Sequence, residues 1–103
     1  MIKKKVSKKA LPFVIVRSHT AGVHAGEYLS RNGDTVILKN AIRLWQWSGA
    51  SLSQVAVEGP ASGTNKFGMT VSQTEIVSPQ GFEITHCTKL AEEKIKLVPK
   101  WKV

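Results

Sequence analysis

A short segment near the middle of the chain, AIRLWQW (residues 41–47), places an arginine and two tryptophans at alternating positions. Successive side chains of a β-strand point to opposite faces, so Arg43, Trp45 and Trp47 would share one face of a strand. Nucleobases stack on aromatic rings and a guanidinium binds phosphate oxygens, so this face suits a nucleotide-like or phosphate-bearing ligand. Tryptophans more often fill cores and subunit interfaces, and this competing interpretation puts Arg43 at the rim.

Upstream, the segment AGVHAG (residues 21–26) surrounds a histidine with glycines. Glycine lets a backbone approach a ligand, and Gly26 within a strand pattern indicates either a bulge or a close backbone approach. The alternative is turn and bulge chemistry without a ligand. If the strands pair as neighbours, this segment can face the same side as the tryptophans. The predicted ligand-binding residues are Arg17, His24, Gly26, Arg43, Trp45 and Trp47.

Two common catalytic signatures are absent from the sequence. There is no GxSxG nucleophile elbow, and AGVHAGE does not match the phosphate-binding loop of nucleoside triphosphatases. His86 and Cys87 are adjacent in a predicted strand and point to opposite faces, so the histidine is poorly placed as a base. On a strand, His24 and Glu27 also face opposite sides, which disfavours a metal site that includes His19. We therefore expect a protein that is not an enzyme and that has no metal and no cofactor.

The net charge of +8 is concentrated at the two ends of the 103-residue chain, because residues 10–88 carry as many acidic as basic side chains. The lysines of the N-terminal tail are Lys3, Lys4, Lys5, Lys8 and Lys9. Such a tail attracts polyanions nonspecifically and weakly at high salt. The alternative is a solubilising, frayed tail. We predict a flexible basic arm at residues 1–10 and a single globular domain at residues 11–103.

The first half of the chain reads as strands and turns. Short runs rich in β-branched and aromatic residues indicate strands over 11–17, 23–30 and 35–47, with a break or bulge near Asn40. Between the last two, RNGD predicts a hairpin turn with Asn32 and Gly33 at its two central positions.

The second half adds helices. SGASLSQVAVEG (residues 48–59) fits either a loop followed by a strand or, as we favour, a short helix capped by Ser51 and ended by Gly59. A loop, PASGTNK (residues 60–66), comes next, and strand-like runs follow up to residue 87. TKLAEEKIKL (residues 88–97) then predicts a helix with Thr88 as its cap. The tail VPKWKV is extended, and its Trp101 can pack back on the body.

These elements predict an α+β, mostly β protein. The architecture is a single small antiparallel sheet or barrel-like meander of about six short strands, with a short middle helix and a C-terminal helix. The connections are too short for crossovers between parallel strands.

The segment SHTAGVHAGEYLSRNGDTVILKNAIRLWQWSGASLSQVAVEG (residues 18–59), with the VPKW ending, resembles a family of small, functionally uncharacterised proteins of tailed phages. The resemblance covers roughly residues 11–101. It implies a phage origin and expression in the bacterial host cytoplasm, and it supplies no activity or catalytic residue. A single cysteine fits a reducing compartment, and no apolar run is long enough for a membrane helix.

Three functions follow from these observations. The first is a phage accessory binding protein that captures a nucleotide-like ligand and so antagonises a host defence. The alternative is a protein–protein module, either a host-factor inhibitor or a virion component, with the tryptophans as anchors. The second alternative is nonspecific nucleic-acid binding through the basic ends. We also expect a homo-oligomer, because exposed strand edges must be covered or paired.

Overall fold

The computed structural model describes residues 11–49 and 51–101. Its elements follow one another as β1 (Phe13–Ser18), β2 (Gly22–Asn32), β3 (Thr35–Gln46), α1 (Leu52–Glu58), β4 (Lys66–Phe67), β5 (Val71–Val77), β6 (Phe82–His86) and α2 (Lys89–Leu97). The protein is α+β and mostly β, as predicted, with a helix in the middle and a helix near the C-terminus. The arm predicted at residues 1–10, with its lysines, lies outside the described residues. Within the described ranges, neither helix is long and apolar enough to cross a membrane.

The six strands form one antiparallel sheet around the long β2–β3 hairpin. β1 pairs with β2 and β6 pairs with β1, whereas β4 and β5 pair with successive parts of β3. The turn of this hairpin differs from the prediction by one residue. Asn32 pairs with Thr35, so Gly33 and Asp34 form the turn. Gly33 alone has a positive φ there, 64°, because a hairpin turn with glycine at its first central position needs no second left-handed residue.

The bulge predicted near Asn40 is present in β3, directly opposite Gly26. The register between β2 and β3 shifts at this point, and Asn40 adopts a φ of 51°. A Cβ on Gly26 would lie 3.1 Å from the Ala41 Cα and 3.1 Å from the Lys39 carbonyl oxygen. Gly26 therefore provides the close backbone approach, while the extra residue belongs to β3. That extra residue reverses which face the following side chains of β3 occupy, Arg43 among them.

Two groups of buried side chains occupy opposite faces of the sheet. The first lies between the sheet and the helices and comprises Phe13, Ile15, Ala25, Ile42, Leu44, Val55, Ala56, Phe67 and Ile95. The second comprises Val14, Val16, Val36, Leu38, Ala41 and Ile76. Consecutive residues of β1 alternate between the two groups, as the period of a strand requires.

The second group is buried although no helix contributes to it, because the sheet curls. Strands at opposite edges of the sheet supply side chains to this group, Ile76 from β5 and the partly buried Phe82 and Ile84 from β6. Near the tip of the hairpin, the Arg31 guanidinium lies 5.3 Å above the Phe82 ring. The tip of the hairpin therefore folds back towards β6.

Both predicted helix caps are confirmed. The Ser51 side chain accepts a hydrogen bond from the Gln54 N–H at the start of α1, which ends at Gly59. The Thr88 side chain accepts one from the Ala91 N–H at the start of α2. Such caps satisfy backbone donors that the first helical turn leaves unpaired. The capped helices bury their apolar sides against the first core group.

Candidate functional site

An arginine stacks on a tryptophan near the C-terminal end of β3. Arg43 and Trp45 lie two positions apart on β3, and the guanidinium carbon is 4.1 Å from the centroid of the Trp45 ring. Trp45 is 53% exposed and Arg43 is half-buried. A Cβ on Gly22 would lie only 2.9 Å from the Arg43 Nη2 atom, so the glycine leaves the space that the guanidinium occupies. This geometry is a cation–π contact with part of the ring open to solvent.

A second tryptophan reaches this place from the C-terminal segment. The centroids of the Trp45 and Trp101 rings are 6.1 Å apart, and the ring planes make an angle of 60°. The Trp101 N–H donates to the Phe67 carbonyl oxygen at 2.8 Å, beside a parallel bridge between Phe67 and Lys100. The Lys66 ammonium lies 5.4 Å from the centroid of the Trp101 ring. We call these residues the cation–aromatic surface: Arg43, Trp45, Lys66 and Trp101.

The two cations of the cation–aromatic surface have no acidic partner within residues 11–49 and 51–101. The ion pairs in these ranges involve Arg17, Lys89 and Lys96 instead. Nearby in sequence, Lys100 donates from Nζ to the Thr70 hydroxyl at 3.0 Å. Neither cation is therefore ion-paired with a described carboxylate, which favours an anionic ligand at this place.

His24 lies directly across from Arg43 in the pairing of β2 with β3. It is 8% exposed, and its Nδ1 atom is buried without a hydrogen-bond partner in the described part of the chain. Burial, and secondly the charge of Arg43, lowers the pKa of His24 to about 4. The imidazole is therefore uncharged at neutral pH, and Arg43 is the cation of this pair.

Of the residues predicted to bind a ligand, His24, Arg43 and Trp45 come together on one face. Arg17 does not join them, because alternation along β1 puts it on the face of Phe13 and Ile15. Its guanidinium lies 4.0 Å from the Glu83 carboxylate, and both side chains are well exposed. Together with Ser18 and His19, this pair lines an open depression of about 410 Å³. The carboxylate makes this depression less suited to anions than the cation–aromatic surface.

Trp47 does not lie beside Trp45, so this part of the prediction was wrong. β3 ends at Gln46, and its pairing with β4 shifts register between Leu44 and Gln46. The alternation that would place both rings on one face therefore does not extend to Trp47. Trp47 instead packs against the first core group. The second ring of the cation–aromatic surface is Trp101.

Two contributors to the surface were not predicted from the sequence, and a third was predicted only to pack on the body. Lys66 was treated as part of a loop, and Gly22 as a turn residue. Trp101 was expected to pack on the body without a stated partner. The positions of Lys66 and Trp101 depend on the bridge between Phe67 and Lys100. Gly22 contributes because it has no Cβ in the space that the Arg43 guanidinium occupies. The one signal for Lys66 in the sequence was its position as an isolated lysine that follows Trp45 and Trp47 along the chain.

Groups capable of covalent or metal chemistry are not gathered here. Burial, and secondly the charge of Glu92, raises the pKa of Cys87 to about 12. The thiol is therefore protonated at neutral pH, and only a thiolate is an effective nucleophile. Across the two described ranges, no three His, Cys, Asp or Glu side chains form a group that could hold a metal ion.

Fold and surface together define a class: a small α+β protein with a curled antiparallel sheet, two helices on one face, and an exposed cation–aromatic surface. A family model described as a domain of unknown function, DUF6948, matches residues 11–95. The chain belongs to this family. The matched range includes Arg43, Trp45 and Lys66 and ends before Trp101. No match was found among curated proteins or among solved structures.

Proposed function

We propose that this protein is a small, non-enzymatic binding protein that captures a nucleotide-like, phosphate-bearing ligand on the cation–aromatic surface. The observation that supports this most is the Arg43 guanidinium, which stacks on a half-exposed tryptophan and has no ion pair among the described residues. A guanidinium offers paired donors to phosphate oxygens, and an indole ring offers a stacking face to a base.

The environment of Arg43 adds to this support. Its neighbour His24 stays uncharged at neutral pH, and the other arginine of the predicted site, Arg17, has a carboxylate 4.0 Å away. Among the arginines of the predicted site, Arg43 is thus the one whose charge is available to a ligand. Because Trp45 is half-exposed, a base can contact its open ring surface while the phosphate of the same ligand binds the Arg43 guanidinium.

The biological setting we propose is a tailed phage. There the protein would act in the bacterial host cytoplasm and capture a ligand without turnover, so that a host defence loses its signal. The support is the resemblance carried by AGVHAG and IRLWQWSGASLSQVAVEG, together with a single cysteine, which fits a reducing compartment. Self-association through the edges of β5 and β6 stays part of this proposal.

The proposal predicts that adenosine monophosphate quenches tryptophan fluorescence and raises the melting temperature of the full chain. A ligand at 100 times its Kd stabilises the folded state by about 2.7 kcal/mol. Adenosine, which lacks the phosphate, and inorganic phosphate, which lacks the base, are the matched controls and should both bind more weakly. If neither mononucleotides nor oligonucleotides alter the fluorescence or the melting temperature, the proposed function is wrong.

A further inference from the structure

We infer that the cation–aromatic surface takes a single-stranded nucleic-acid segment of at least two nucleotides in preference to a free mononucleotide. This inference rests on the proposed function and specifies its ligand. It follows from the contacts of the four side chains, in which each of two neighbouring aromatic rings has its own cation.

Three consecutive contacts link Arg43 to Trp45, Trp45 to Trp101, and Trp101 to Lys66. The Arg43 guanidinium lies 4.1 Å from the first ring, the two rings are 6.1 Å apart, and the Lys66 ammonium lies 5.4 Å from the second ring. A mononucleotide offers one base and one phosphate group, so it engages one ring and one cation. Two linked nucleotides, each with its own phosphate, offer a base to each ring and a phosphate to each cation. The surface therefore matches a dinucleotide unit of a longer strand.

The angle between the rings selects for an unpaired strand. Because the Trp45 and Trp101 planes differ by 60°, two bases that stack on them cannot stay stacked on each other. A flexible single strand separates its bases readily, whereas the bases of a duplex are held in their stack. Both rings are also accessible, with Trp45 53% and Trp101 37% exposed, so a strand can lie across them.

The test compares four probes on the full chain by tryptophan fluorescence. They are thymidine monophosphate, the 5′-phosphorylated thymidine dinucleotide, a ten-residue oligothymidylate and a hairpin duplex. We expect the dinucleotide to bind about 5- to 150-fold more tightly than the mononucleotide, as one additional stacked base provides. We expect the oligothymidylate to bind at least as tightly as the dinucleotide and the duplex to bind more weakly than both.

A tail variant, with Lys3, Lys4, Lys5, Lys8 and Lys9 all replaced by Gln, separates the surface from the basic tail. Its affinity for oligothymidylate should fall with salt at a log–log slope of about −1.4, because two phosphate contacts on a single strand release about that many counterions. The full chain should show a steeper slope.

Each other outcome is decisive. If the dinucleotide binds no more tightly than the mononucleotide, or the duplex binds as well as the single strand, this inference is wrong while the proposed function stands. If none of the probes binds, the proposed function fails with it. If the tail variant loses all binding to oligothymidylate but retains binding to the mononucleotide, the strand is held by the tail and the inference is overturned.

Discussion

Replacing Trp45 with alanine is expected to weaken oligothymidylate binding by about 5- to 150-fold, the effect of losing one base–aromatic stack. The same replacement removes the ring against which the Arg43 guanidinium packs, so the phosphate contact becomes less ordered as well. Trp45 is 53% exposed, and its loss should leave the fold intact. Binding is measured by anisotropy of a labelled oligonucleotide, because one source of tryptophan fluorescence is removed.

Two arginine variants provide the matched control for this result. Arg43→Gln and Arg17→Gln each remove one positive charge, from opposite faces of the sheet. Arg43→Gln should weaken binding by about 10- to 150-fold, since hydrogen bonds to charged groups contribute about 1.5–3 kcal/mol. Arg17→Gln should have little effect, because its charge already faces Glu83. Equal losses in the two variants would mean that binding follows net charge and that the cation–aromatic surface has no special role.

The second large effect concerns stability in acid. The folded state holds His24 with a pKa of about 4, whereas an unfolded chain gives histidine its ordinary value of 6.5. The folded state therefore binds fewer protons between these pH values, and stability falls as the pH falls through this range. The shift corresponds to about 3 kcal/mol lost by pH 4 relative to pH 7.

The variant His24→Gln removes this titration and serves as the comparison. Urea unfolding is measured for both proteins from pH 7 to pH 4, and the difference between their free energies of unfolding is plotted against pH. Subtraction cancels the carboxylates, which titrate in both proteins. We expect wild type to lose about 3 kcal/mol more than His24→Gln. Parallel curves would contradict the burial of an uncharged imidazole beside Arg43, whatever the absolute stability of the variant.

Local signals in the sequence predicted the elements of this fold well. Ser51 and Thr88 were identified as helix caps, because capping depends on a few neighbouring residues. The β2–β3 hairpin was also placed correctly from its glycine. Its turn was misplaced by one residue, since Asn32 and Gly33 both tolerate the required conformation and the pairing of Asn32 with Thr35 is decided by the whole ladder.

The site was predicted less completely because it depends on register and on distant parts of the chain. His24 and Arg43 do meet, as cross-strand partners beyond a bulge. Arg17 was included because it ends the strand that precedes AGVHAG, but the alternation of β1 places it on the face of Phe13 and Ile15. Trp101 reaches Trp45 only through the bridge between the C-terminal segment and β4, a contact between residues far apart in the chain. No local pattern encodes that pairing.

The most direct test of the cation–aromatic surface uses the indole N–H signals of the three tryptophans in a proton–nitrogen correlation spectrum. Trp47 packs against the first core group and serves as an internal reference. During titration with oligothymidylate, we predict that the signals of Trp45 and Trp101 shift together while that of Trp47 stays in place. Binding that leaves Trp45 and Trp101 unshifted, or that shifts Trp47 alone, would contradict the proposed surface.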